Sequence, residues 1–276
     1  MKLALCNEVL QPMPFEQQCA WAAAAGYTGL ELSPFTLADD PQTLSTADAS
    51  RYQAIAVEHG LAISGLHWLL VKPDGLSLVS TDAALRRRTL DLLRRLIDFA
   101  GACGAKVLVH GSPRQRSPET GQSAPDATER LTSALAELAP HAQQAGVVYC
   151  LEPLSPKETP IINTVAQAAA LVDAIASPAL RTMLDVSAAS QSESEPVHEV
   201  LARFLYSGHI AHVQFNDKNR RGPGQGDTAQ RPVMQVLRDQ GYQGWMAVEP
   251  FNYQPDGPAC AAYSAGYLRA TWDSLA

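Results

Sequence analysis

Seven side chains able to bind a metal ion or move a proton stand at or near the ends of short apolar runs in this chain: Glu31, His67, His110, Glu152, Asp185, Gln214 and Glu249. If those runs are strands of one parallel barrel, their C-terminal ends open on a single face, and residues far apart in sequence meet there. Three carboxylates crowded into one mouth, Glu152, Asp185 and Glu249, would repel one another strongly unless a cation neutralised them. Together with the amide oxygen of Gln214 they form an all-oxygen ligand set. That set suits Mn2+ or Mg2+, with Co2+ as a third candidate, better than Zn2+, which prefers nitrogen and sulfur. One divalent ion per chain is the expectation, held by Glu152, Asp185, Gln214 and Glu249.

The elements that must position these residues are legible as a rhythm. KLALC (2–6), TGLEL (28–32), LAISGLH (61–67), AKVLVH (105–110), VVYCLE (147–152), LRTMLD (180–185), HIAHVQ (209–214) and WMAVE (245–249) read as strands. Helices are expected near 15–25, 82–103, 126–145 and 164–176, and again after the last three strands. The clearest is 82–103, where Leu85, Thr89, Leu92, Leu96 and Phe99 recur at three- and four-residue steps opposite a face of arginines. Apolar strands alternating with helices imply a parallel sheet covered by helices, and eight such units favour closure over an open sheet. The expected fold is a single (β/α)8 TIM barrel of the α/β class spanning 1–276, with no linker polar enough to divide it. The first strand is not followed by G-x-G-x-x-G, which weighs against dinucleotide binding.

Composition narrows the function further. A net charge of −7 repels phosphate backbones and argues against a nucleic-acid partner. No apolar stretch is long enough to span a bilayer. The five cysteines are scattered without C-x-x-C spacing, which with the lack of a secretory h-region points to reduced thiols in a cytoplasmic protein. GPGQG (222–226) is not a phosphate loop and reads as a mobile loop over the site. SPRQRSPETGQSAPD (112–126), with Arg114 and Arg116, reads as a solvated loop, and Trp21 as core.

Four segments carry a family resemblance: LEPLSPKETPIINT (151–164), MLDVSAA (183–189), HVQFNDKNRRGPGQGD (212–227) and MAVEP (246–250). Over nearly its whole length the chain resembles the sugar phosphate isomerase/epimerase superfamily, the xylose isomerase-like barrels, and within it the ketose 3-epimerase (tagatose/allulose epimerase) branch. The resemblance implies that Glu152 and Glu249 are metal ligands and the paired acid/base residues, and that Asp185 is a ligand. It also implies that Glu158 and Arg220 contact substrate. His67, His110 and Trp68 are further candidates for substrate contacts. The family usually has histidine where Gln214 stands, and a second histidine where Ala188 stands; His212 is a partial substitute or a buried structural residue.

The chemistry so implied is proton abstraction beside a ketose or keto-sugar carbonyl through an enediolate, with two glutamates as acid and base. The substrate would be a small sugar, and barrels of this kind often form homo-oligomers through their helical faces. Loss of a β-hydroxyl from the same intermediate would make a dehydratase (lyase) of a keto-cyclitol, dehydroshikimate-like or keto-glycoside substrate. A non-catalytic sugar-binding barrel is a third reading. A histidine-rich endonuclease of the same fold is disfavoured by Ala188, Gln214 and the acidic charge.

Overall fold

The computed structural model describes residues 1–275. Eight strands pair in sequence order into a closed parallel barrel. They are β1 (Leu3–Cys6), β2 (Gly29–Leu32), β3 (Ala62–Leu66), β4 (Val107–His110), β5 (Val148–Leu151), β6 (Leu180–Asp185), β7 (Ile210–Phe215) and β8 (Met246–Val248). Closure is made by β1 on β8, where Leu3, Ala4 and Leu5 pair with Met246, Ala247 and Val248. Every expected strand is present within a residue or two of its expected ends.

Helices Phe15–Ala24, Ala83–Ala102, Ala124–Ala145, Val165–Ile175, Val197–Tyr206, Gln230–Asp239 and Gly257–Asp273 follow successive strands around the barrel. In Ala83–Ala102, Thr89, Leu92, Leu96 and Phe99 are buried, so the apolar stripe is the packing face. The helix Thr46–Glu58 between β2 and β3 is one that periodicity alone leaves unassigned. Its buried stripe is only Ala49, Tyr52 and Ala56, and its start is set by Ser45 and Asp48, each bonding the other's backbone N–H. Trp21 is half-buried against the core.

Polar groups also enter the barrel interior. Glu31 on β2 and His212 on β7 are both fully buried, with His212 Nε2 2.7 Å from Glu31 Oε2. This pair lies among the inward-facing residues on which the mouth is built. Among the described residues no helix is long and apolar enough to cross a membrane. All five cysteines are buried and free.

Candidate active site at the barrel mouth

Register brings the acidic residues together. Asp185, the last residue of β6, pairs with Gln214 on β7, and Gln214 pairs with Ala247 on β8. Glu249 follows β8 directly, its N–H donating to the Phe215 carbonyl (3.0 Å), and Glu152 follows β5, its N–H donating to the His110 carbonyl (3.2 Å). One carboxylate oxygen each from Glu152, Asp185 and Glu249 lies within 4.8 Å of the others. The three residues are 7%, 4% and 3% exposed, so water cannot screen their repulsion.

Each carboxylate is held by different means. Asp185 caps the short helix Val186–Ser192 by accepting from the Ala188 N–H (2.6 Å), while its other oxygen accepts from Asn216 Nδ2 (2.6 Å). Asn216 is fixed in turn, because its Oδ1 accepts from the Ser187 N–H. Glu249 Oε1 accepts from Trp68 Nε1 (2.9 Å) and lies 2.9 Å from His67 Nδ1. Glu152 Oε2 packs on the bare Cα of Gly111: a Cβ there would lie 2.2 Å from that oxygen. Without a cation, burial and mutual repulsion dominate. Burial, Glu249 and Asp185 hold the Glu152 carboxyl well above the usual range. Burial and Glu249 push Asp185 up to about 8. Burial raises Glu249 as well, against the opposing pull of His67.

Glu249 Oε2 and Gln214 Oε1 are buried acceptor oxygens that lack any donor. Gln214 Nε2 donates to Glu31 Oε1 (2.7 Å), which fixes the amide with its oxygen turned away from Glu31. Three crowded carboxylates and unpartnered oxygens on one of them and on a neighbouring amide fit a hard divalent cation, whose charge would offset the repulsion.

Beside the carboxylates lies a narrow cavity of about 50 Å³, lined by residues that include Trp68, Gly111, Glu152, Glu158, Glu249 and Phe251. Larger grooves lie on the outer surface, away from these carboxylates. Arg220, in left-handed backbone (φ 68°), stacks 4.3 Å over Phe251 with its Nη1 3.4 Å from Glu158 Oε1. Trp68 is also left-handed (φ 51°), and its ring meets Phe35 and Phe251. His67 borders the cavity, but its Nε2 already faces Ser33 Oγ (2.8 Å) and Glu8 Oε2 (3.0 Å), so both ring nitrogens are engaged by the protein. His110 is fully buried and does not line the cavity; its Nδ1 meets the Tyr149 hydroxyl (2.8 Å), and burial lowers its pKa to about 3.

Two expectations need correction. Arg116 does not sit in a solvated loop: it ends the short helix Pro113–Arg116, is 0% exposed, and has Nε and Nη2 without partners. Burial lowers its pKa to about 10, against the opposing pull of the Glu152 and Glu158 carboxylates. GPGQG does not line the cavity. It is fastened to the C-terminal helix, where the Tyr263 hydroxyl donates to the Gly224 carbonyl (3.1 Å) and Gly224 packs against the Tyr267 ring. Sequence reasoning also missed Glu8, Gly111 and Asn216. Asn216 was reachable, because it lies two residues beyond Gln214 and so shares its side of the strand.

A family model described as a xylose isomerase-like TIM barrel matches residues 19–271. A probable ketose 3-epimerase of Synechocystis is 29% identical over 66% of this chain, but only 63% of that protein is covered. A fructoselysine 3-epimerase of Shigella flexneri is 29% identical over 92% of both chains. The structure of D-psicose 3-epimerase with D-tagatose from Clostridium cellulolyticum H10 superposes with a TM-score of 0.82 at 18% identity, covering 99% of each chain.

Proposed function

The chain belongs to the xylose isomerase-like TIM barrel family, and from that premise we propose that it is a divalent-metal-dependent epimerase of ketoses or keto-sugars. The observation that carries the reading is the buried Glu152–Asp185–Glu249 cluster at the ends of β5, β6 and β8. The relatives named for 3-epimerisation of ketoses and of fructoselysine support a 2-ketose substrate inverted at the carbon beside its carbonyl.

Glu152, Asp185, Gln214 and Glu249 would hold the cation, Mn2+ or Mg2+ by donor chemistry. Bound there, it would polarise the carbonyl and make the neighbouring C–H more acidic. The other tasks belong to the chain. Inversion requires a proton to leave one face of that carbon and return to the other, so two bases are needed. Glu152 and Glu249, three strands apart around the barrel, supply them. Glu249 is aimed by Trp68 and His67, and Glu152 by the Gly111 surface against which it rests. Trp68 and Phe251 exclude water above the reacting carbon, while Glu158 and Arg220 bind hydroxyls further along the sugar.

Incubation with Mn2+ in D2O and a panel of free and substituted 2-ketoses, followed by proton NMR, tests this. Deuterium is expected at the carbon beside the carbonyl, with the inverted sugar as product, and both should vanish with chelator and in Glu152→Gln. Water loss instead of inversion would make the protein a dehydratase. Bound metal with no exchange into any ketose would refute the epimerase reading.

A further inference from the structure

We propose that Glu31 is a positioning residue for the cation site: it turns the Gln214 amide so that oxygen, not nitrogen, faces the ion. This rests on the metal-dependent reading above. Glu31 lies on β2 and is 0% exposed, a costly place for a carboxylate that only fills space. Gln214 Nε2 donates to its Oε1 (2.7 Å), whereas His67 Nδ1 is 4.0 Å from the same oxygen, beyond hydrogen-bond reach. His212 Nε2 stands 2.7 Å from Oε2. The backbone is irregular beside both Glu31 and His212. The register of β2 on β3 shifts between Leu30 and Glu31, and that of β6 on β7 shifts between Thr182 and Met183, where Met183 pairs with His212. Shifts of this kind re-aim side chains.

A glutamine amide has two ends of nearly equal size and opposite chemistry. Its oxygen accepts and can ligate a hard cation; its NH2 donates and cannot. Nothing in the length of the side chain chooses between them. A carboxylate on one side makes the choice, because it offers acceptors alone and the NH2 must face it. The opposite end is Oε1, which is buried and has no donor. Glu152, Asp185 and Glu249 carry no such ambiguity, since both ends of a carboxylate are oxygen. Gln214 is therefore the member of this ligand set whose ligating atom depends on a neighbour. An outer group that orients a ligand in this way supports metal affinity by about 10–100-fold.

Mn2+ affinity of the full chain, read from the electron paramagnetic resonance signal of the free ion, tests this without relying on turnover. Glu31→Leu keeps similar bulk but removes the acceptor, and should weaken Mn2+ binding by about 10–100-fold. Two further variants separate orientation from charge: Gln214→Glu alone, and Gln214→Glu combined with Glu31→Gln. In the first, two carboxylates meet where the amide hydrogen bond was, and their repulsion pushes the ligand off its place. In the second, the amide at position 31 donates to the carboxylate at position 214, and the pair keeps its formal charge. The combined variant should bind Mn2+ at least about 10-fold more tightly than Gln214→Glu alone. Charge by itself predicts the reverse order, because Gln214→Glu alone carries the additional negative charge. Wild-type affinity in Glu31→Leu would overturn the proposal, as would tighter binding by Gln214→Glu alone than by the combined variant. If Glu31→Leu does not fold, the comparison of the other two still decides. A wild-type chain that binds no Mn2+ would instead remove the metal-dependent reading, and the proposal with it.

Discussion

Gly111→Ala moves one carboxylate and leaves its chemistry alone. Gly111 has no left-handed backbone angle, so alanine adds only a methyl group. That methyl would stand 2.2 Å from Glu152 Oε2, where ordinary contact begins at 3.4 Å. The carboxylate must retreat by roughly 1 Å, and the open side is the cavity, so the fold need not yield. A misplacement of about 1 Å in reacting groups costs about 100-fold in rate, equivalent to about 2.7 kcal/mol of barrier. The assay is deuterium exchange beside the carbonyl in D2O at saturating Mn2+, together with thermal melting. The expected result is kcat down about 100-fold with the melting temperature within a few degrees of wild type. Wild-type kcat in a well-folded Gly111→Ala would refute the idea that the Gly111 surface sets the working position of Glu152.

The metal-free protein should lose stability as pH rises through about 8, the folded value for Asp185. A carboxyl raised in the fold stabilises it fully only below the unfolded pKa of about 4, and that contribution disappears above the folded one. Asp185→Asn in chelator should therefore recover about 2 kcal/mol at pH 9 and nothing at acid pH, as read by urea melts; an equal effect at both would disprove the repulsion argument. Arg220→Ala should raise KM by about 10–100-fold with little change in kcat, as expected when a charged hydrogen bond to substrate is lost. Trp68→Phe removes the indole donor to Glu249 Oε1 while keeping an aromatic wall, and should lower kcat by about 10-fold with KM unchanged.

Strand ends were readable because most of the strands are short apolar runs stopped by a polar residue, and the candidate ligands Glu152, Asp185, Gln214 and Glu249 all announce themselves this way. What escaped depends on contacts between loops rather than on local pattern. Arg116 sits in a polar segment and looks solvated; only the packed structure shows it fully buried. Glu8 lies one residue into a turn, and its meeting with His67 is a consequence of β1 and β3 flanking β2. His67 and Trp68 were picked out as residues facing the substrate, yet much of their bonding capacity is spent on holding Glu249. The fastening of GPGQG by Tyr263 was invisible because their partnership spans 39 residues.

Trp68, Ser112 and Arg220 share one further property: each stands at the mouth in a left-handed backbone angle that glycine would accept without cost. Each non-glycine residue there carries of order 1–3 kcal/mol of strain. A lineage selected only for robustness would drift toward glycine at all three. On the function proposed above, the side chains at these positions exchange durability for turnover, so thermostabilising searches that ignore turnover should converge on these positions first and disarm the protein as they do.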